Sequence, residues 1–319
     1  MRLSRTWTWG LPVVLVVFLS TVIALIPREG LSAESGPVDL GLGRKIRILT
    51  YNIWGLPGVL LQKPKRMKLL EETLPTEMAD IIILNETFAA RTRPVVMLKE
   101  YPYRAFGPGK SGAKISSGVV ILSKFPIVET ETIKYSQCAG MDCLANKGAV
   151  RARLDVPDVG KVDVVGTHLS SDGKDSLRSA QLEEVFALLE RAQGDVPVLF
   201  GGDFNFHSET APYSDMVGGM GFRDLHAEYR ARHPELDSIS WFGFTYDPDR
   251  NSNLNWQAPF SRAERLDYIW AKDGACAGVV VDQTSLLLDQ AVGGLHLSDH
   301  FGVKADLTLQ GAGDSATCW

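Results

Sequence analysis

The chain has 319 residues, 45% of them hydrophobic, and a net charge of −5. That length is enough for one large core or two small ones. The charge excludes a global basic field, so polyanion binding would need a local patch.

No internal repeat or low-complexity segment is visible. The start, Met1-Arg2-Leu3-Ser4-Arg5, is basic; a mostly apolar, uncharged run follows from Leu11 to Pro27, then Leu31-Ser32-Ala33. Residues 1–33 read as an export signal cut after Ala33, or as an uncleaved anchor through residues 11–27. Either way residues 34–319 are expected outside the cytosol, secreted or periplasmic. Four cysteines, Cys138, Cys143, Cys276 and Cys318, fit that compartment. Local closure favours Cys138–Cys143, which leaves Cys276–Cys318. No cysteine pair has zinc-site spacing with partner histidines.

Residues 34–45 are Gly-rich and polar and read as a linker. Ile46 to Tyr51 is the first expected strand, with Asn52 at its end. Ile53 to Pro64 is a loop with Trp54, Leu56, Pro57, Val59, Leu60 and Leu61. Lys63, Lys65, Arg66 and Lys68 open a helix running to about Leu74. Ile81 to Leu84 is a buried strand ending in Asn85-Glu86, and Ser117 to Leu122 is another. Ala149 to Val156 and Val162 to Thr167 read as a hairpin around Asp158-Val159-Gly160, ending in His168.

Asp175 to Gln193 is the clearest helix, with Leu177, Ala180, Val185, Leu188, Leu189 and Ala192 on one face and Gly194 as its stop. Val196 to Phe200 reads as a buried strand that Gly201 and Gly202 end, delivering Asp203 and Asn205. Tyr213 to Phe222 is a short helix and turn, and Trp241 to Trp256 an aromatic-rich loop. Arg265 to Ala271 is a strand carrying Asp267. Leu297-Ser298-Asp299-His300 opens the last strand, Phe301 to Leu309. Residues 46–310 are expected to form the catalytic domain and 311–319 a tail. The pattern predicts an α/β sandwich of two mixed sheets with flanking helices. A doubly wound parallel sheet would need a helix in each crossover, which the hairpins argue against.

Asn52, Glu86, His168, Asp203, Asn205, Asp267, Asp299 and His300 all fall at or beside predicted strand ends, where a rigid sheet presents catalytic groups. The set is rich in oxygen and poor in thiolate, so it suits Mg²⁺, Mn²⁺ or Ca²⁺ rather than zinc. A hard cation among carboxylates points to phosphoryl chemistry.

Several stretches carry a specific resemblance: Tyr51-Asn52-Ile53-Trp54-Gly55-Leu56-Pro57, Leu144-Ala145-Asn146-Lys147-Gly148, Gly166-Thr167-His168-Leu169, Gly202-Asp203-Phe204-Asn205, Arg265-Leu266-Asp267-Tyr268-Ile269 and Leu297-Ser298-Asp299-His300. Across residues 46–309 the chain resembles the endonuclease/exonuclease/phosphatase superfamily, whose fold is a four-layered α/β sandwich. Asn-Lys-Gly and Trp-Gly-Leu-Pro make it most similar to the Mg²⁺-dependent neutral sphingomyelinases. Asn85 stands where Gln is usual.

The resemblance implies the following roles. Glu86, with Asn52 nearby and Asp299 beside, holds Mg²⁺, with Mn²⁺ as substitute. His300 is the general base, oriented by Asp267. Asp203 positions the attacking water. Asn205 and His168 stabilise the pentacoordinate phosphate, and Lys147 contacts a phosphate oxygen. In some relatives an acidic residue five positions before this lysine gates it, and Asp142 has that spacing. Plainer readings exist: Asp267 as a salt-bridge partner of Arg265, Asn-Lys-Gly as a hairpin turn, Arg178 and Gln181 as structural residues, and His207, His226, His233 and His296 as surface or supporting ones.

Two apolar stretches, with Trp54 and Leu56 in one and Trp241 and Trp256 in the other, suggest lipid contact. Lys63, Lys65, Arg66 and Lys68 would face anionic headgroups or solvent. The expected reaction is hydrolysis of sphingomyelin to ceramide and phosphocholine, at a membrane surface, by a monomer that takes no nucleic acid. An exported endonuclease of the same fold, or an inositol-phosphate phosphatase, is the alternative; either should show more clustered Lys and Arg. A binding module with a dead site should have lost Glu86, Asp203 or His300.

Overall fold

A computed structural model describes residues 43–58, 64–192, 195–236, 242–275 and 277–311. They lie in the unit Leu40–Trp319; the other unit, Met1–Asp39, is outside the described residues, and the expected signal or anchor with it. Among the described residues no helix is long and apolar enough to cross a membrane.

The strands are β1 (Arg44–Asn52), β2 (Ile81–Asn85), β3 (Tyr103–Phe106), β4 (Val120–Ser123), β5 (Ile127–Lys134), β6 (Gly148–Val156), β7 (Gly160–His168), β8 (Val198–Asp203), β9 (Arg223–Asp224), β10 (Asp267–Lys272), β11 (Ala277–Leu287) and β12 (Gly302–Gly311). The helices are α1 (Pro64–Thr73), α2 (Arg93–Val96), α3 (Asp175–Arg191), α4 (Ala211–Ser214) and α5 (Leu225–Arg232).

Two six-stranded sheets result, in the orders β11-β12-β1-β2-β4-β3 and β5-β6-β7-β8-β10-β9. Each has a single parallel pair at its centre, β1–β2 in one and β7–β8 in the other, flanked by antiparallel neighbours. The parallel strands are buried on both faces, so they read as unbroken apolar runs rather than alternating ones.

The layers follow from which faces are apolar. Ile48, Ile83 and Ile121 from one sheet meet Val150, Val164 and Leu199 from the other in the central core. Leu49, Ile82 and Leu84 face outward onto Met67 and Leu70 of α1. Val165 and Phe200 face outward onto Leu182 and Val185 of α3. The order is helix, sheet, sheet, helix: the expected sandwich.

Several expectations need correction. Gly201 and Gly202 lie inside β8 and do not end it. A Cβ on Gly201 would come within 2.8 Å of Ile83 Cδ1, and one on Gly202 within 2.0 Å of Thr167 O, so these glycines let the sheets and strands approach closely. β4 starts at Val120, because Gly118 turns the chain with φ +72° beneath Phe88. α3 ends at Arg191, and the expected stop at Gly194 lies outside the described residues. β1 opens at Arg44, paired with Leu309.

β5 and β11 were not anticipated. β5 is half-exposed, with Glu, Thr and Lys along it, and β11 buries Val279 and Val281 and then turns polar at Asp282 and Gln283. Arg66 is buried, not solvated: Nη1 donates to Ile53 O (2.9 Å) and Leu297 O (2.7 Å), and Nη2 to Trp54 O (2.8 Å). Lys65 and Lys68 are exposed, and Lys63 is outside the described residues.

Candidate active site

The C-terminal ends of both parallel pairs meet. In register, Asn52 lies beside Asn85 and His168 beside Asp203. Asn85 crosses between the sheets: Nδ2 donates to Thr167 O (2.7 Å), and Oδ1 accepts Asp203 N–H (3.1 Å). Trp54, Glu86 and Asn205, just past the ends of β1, β2 and β8, have φ of 51°, 58° and 50°. Left-handed backbone in non-glycine residues is costly and gathers where geometry serves function.

Asn52 ties the carboxylates together. Its Nδ2 donates to Glu86 Oε1 (3.1 Å) and Asp203 Oδ2 (3.0 Å), while its Oδ1 accepts Trp54 N–H (3.0 Å). Glu86 Oε2 is buried with no hydrogen-bond partner. Burial, then the nearby charge of Asp299, pushes the Glu86 pKa up to about 7. Asp299 is raised too, first by burial. An orphaned carboxylate oxygen beside a second acid is what a hard cation would satisfy, so Glu86 and Asp299 fit one.

His300 Nδ1 lies 2.8 Å from Asp267 Oδ2, and its Nε2 is 3.8 Å from Asp203 Oδ2. Burial opposes the charged imidazole, but Asp267 and Asp203 outweigh it and lift the pKa well above the ordinary value. Asp267 is pushed up to about 6 by burial. Asp203 feels the same burial, yet the facing imidazoles and the Asn52 amide bring it below the usual range. Asp203, Asp267 and His300 also present ligand atoms within 4.8 Å of one another. With Nδ1 committed to Asp267, this trio is arranged to handle a proton.

His168 Nε2 is 3.6 Å from Asp203 Oδ2, and burial followed by the Lys147 charge pushes its pKa down to about 3, so it is neutral at working pH. Asn205 Nδ2 and Lys147 Nζ both donate to Leu169 O, at 3.1 and 2.8 Å. Lys147 also pairs with Asp142 at 2.8 Å. Asp142 Oδ2 accepts the N–H groups of Ser171 (2.7 Å) and Asp172 (3.2 Å), and the Cys138–Cys143 disulfide closes the loop that carries it. Cys276 and Cys318 are outside the described residues. Asn146 donates to Gly109 O (2.6 Å) and Ser111 Oγ (2.7 Å), so Asn-Lys-Gly is not a free hairpin turn.

The eight strand-end residues and Lys147 are thus brought together. The expected lipid contacts are dispersed. Trp54 and Leu56 are half-buried, with the Arg66 guanidinium 5.0 Å from the Trp54 ring centroid. Trp256 is 72% exposed, and Phe260 in the same loop 87%. Trp241 is outside the described residues.

Arg265 pairs with Asp224, not Asp267, with Nη1 3.0 Å from Oδ1. Arg178 and Gln181 are structural: Gln181 is buried between Ser170 and Gln137 O. His226 and His296 are buried and His207 is exposed. Asn85 and Thr245 were not anticipated as site residues. Asn85 had a signal, a polar residue closing a buried strand beside an acid; Thr245 had none.

This gathering of carboxylates, amides and imidazoles at the seam of two mixed sheets has the chemistry that hydrolysis of a phosphate ester needs. Residues 49–300 match the Endonuclease/Exonuclease/phosphatase family, and the chain belongs to it. It is a phosphoric diester hydrolase. Sphingomyelinase C of Bacillus cereus is 33% identical over 288 residues, covering 81% of this chain and 84% of the relative. Phospholipase C of Staphylococcus aureus is 28% identical over 278 residues, covering 78% and 79%. A Staphylococcus aureus beta toxin solved with bound magnesium ions superposes with TM-score 0.63 at 25% identity, covering 82% of this chain and 99% of that one.

Proposed function

We propose that this chain hydrolyses sphingomyelin to ceramide and phosphocholine by direct attack of water, in an Mg²⁺-dependent reaction that Mn²⁺ also supports. The observation that carries the chemistry is the His300 imidazole held by Asp267 at 2.8 Å with its other nitrogen turned toward Asp203. Held so, His300 in its neutral form takes a proton from a water that Asp203 orients, and Asp267 stabilises the imidazolium that forms. Neutral His168 and the Asn205 amide donate to the phosphate oxygens, and Lys147 adds positive charge beside them. Glu86 and Asp299 would hold the cation, with Asn52 orienting Glu86. A bound divalent cation supplies charge neutralisation at the phosphate.

Sphingomyelin as substrate is supported by the similarity to Sphingomyelinase C and by the exposed Trp256 and Phe260. Residues 1–33 would act as a signal or anchor for export, and residues 46–310 as the catalytic domain, working as a monomer at a membrane surface.

The test offers the full chain sphingomyelin vesicles, lysolipid, plasmid DNA and inositol phosphates, with and without Mg²⁺. Mg²⁺-dependent phosphocholine release with DNA intact is expected. DNA nicking with inert vesicles would overturn the substrate and leave the fold and site in place.

A further inference from the structure

The Asp267–His300 bond joins two sheets: Asp267 opens β10 in one, and His300 immediately precedes Phe301 and β12 in the other. A 2.8 Å hydrogen bond across such a seam needs both backbones held in place. Thr245, fully buried and outside any strand or helix, touches both sides. Its Oγ1 accepts the N–H groups of Leu266 and Asp267, each at 3.1 Å. Its carbonyl oxygen accepts the Phe301 N–H at 2.6 Å.

We propose that Thr245 is a positioning residue for hydrolysis, fastening Asp267 and His300 to each other through their backbones. A hydroxyl has two acceptor sites and one proton. Both acceptor sites serve backbone N–H groups. Asp267 Oδ1 is buried without a hydrogen-bond partner, and the Thr245 hydroxyl is among the groups that lower the Asp267 pKa.

The next residue reinforces the arrangement. The Tyr246 ring meets His300 edge-on at 5.7 Å, and Tyr246 exchanges backbone hydrogen bonds with Glu264 at 3.0 and 2.7 Å. The Thr245–Tyr246 step is therefore anchored from outside the pair that it holds. Displacing a catalytic group by about 1 Å costs on the order of 100-fold in rate, so the hydroxyl should matter to turnover well beyond its share of folding.

The inference rests on His300 and Asp267 acting as proposed above, and the experiment separates the two. Full-length Thr245→Val, Thr245→Ser and His300→Ala are compared with the parent in Mg²⁺, on p-nitrophenyl phosphocholine, a soluble phosphodiester that removes membrane binding from the readout. Melting temperature and the downfield proton resonance of the His300 Nδ1–H are followed in parallel. Thr245→Val should lose about 100-fold in kcat per folded molecule with KM within about twofold, and lose the downfield resonance. Thr245→Ser should recover both.

Thr245→Val with wild-type kcat and an intact resonance, while His300→Ala is inactive, overturns the positioning role alone. His300→Ala with wild-type turnover overturns the base assignment and this inference with it. Should Thr245→Val fail to fold, Thr245→Cys places a weak donor and acceptor at the same point; a kcat between those of His300→Ala and the parent is expected, and a wild-type kcat overturns the proposal.

Discussion

Glu86 carries an electrostatic tension that burial and Asp299 create. One oxygen is held by Asn52 and the other is buried and unpartnered. Removing the carboxyl removes the tension and, on the proposed reading, the cation's principal ligand. Glu86→Ala is expected to lift the Mg²⁺ concentration for half-maximal turnover by about tenfold or more, while the melting temperature without Mg²⁺ stays level or rises. Metal titrations of turnover and of thermal stability check the two halves separately.

A buried ion pair outside the proposed reaction carries a pH prediction. Burial would raise the Asp224 pKa, but the Arg265 charge and hydrogen bonds, with two N–H groups at the start of α5, bring it below its ordinary value. A carboxyl depressed in the folded state adds stability above its unfolded pKa of about 4 and loses it as pH falls through the lower folded value. The melting temperature should therefore drop as pH is taken from about 5 to about 3. Asp224→Asn should be less stable at neutral pH, by roughly 3 kcal/mol, with a shallower acid slope. Parallel slopes in parent and variant would count against this.

Among the elements, the parallel pairs β1–β2 and β7–β8 organise the site, and Asn85 is where they are tied. Two buried hydrogen bonds, to Thr167 O and from Asp203 N–H, depend on one amide. Asn85→Ala leaves both partners unsatisfied and is expected to cost about 2–4 kcal/mol. Because Asp203 is one of those partners, kcat should fall by more than the loss of folded protein explains. Denaturant unfolding and active-site-normalised kinetics distinguish the two effects.

The same elements mark how far sequence reading reaches. The parallel strands announce themselves as short apolar runs that lead into Asn52, Glu86, His168, Asp203 and Asn205, and Asp267, Asp299 and His300 stand at the starts of β10 and β12, so all eight were legible. β5 and β11 were not, because half-exposed strands mix polar and apolar residues without a clean period. Gly201 and Gly202 were misread as a stop, because close approach between sheets leaves the same mark as a turn. Arg66 was misread as solvated, because the carbonyls that it satisfies come from Ile53, Trp54 and Leu297, the last of them distant in sequence. Thr245 left no trace, since its role exists only where two sheets meet.

For the whole molecule, the proposed substrate raises the question of how the protein would meet a lipid surface. Trp256 and Phe260 stand out in the loop after Tyr246. The loop is fastened to the catalytic segment: Asn251 Nδ2 donates to Ser298 O (3.0 Å) and Asp299 O (3.1 Å), and Asn253 Nδ2 to Ser298 O (2.8 Å). Exposed aromatic side chains suit the headgroup region, where an apolar ring can leave water. Replacing both with Ala should lower the ratio of vesicle turnover to soluble-ester turnover by about tenfold, roughly the loss of 1.4 kcal/mol of interfacial binding. Vesicle sedimentation with the same variant measures that loss directly.

The pairing of β12 with β1 has a consequence in time. Register runs from Arg44 opposite Leu309 to Thr50 opposite Val303, so the first strand of the sheet waits for the last. Asp299 and His300 are set down only as that final strand docks. Contacts between such distant positions form late and slowly. A nascent chain therefore carries Glu86, and later His168 and Asp203, before Asp299 and His300 can complete the site. In refolding from denaturant, activity should return with the slowest phase, after secondary structure has already recovered.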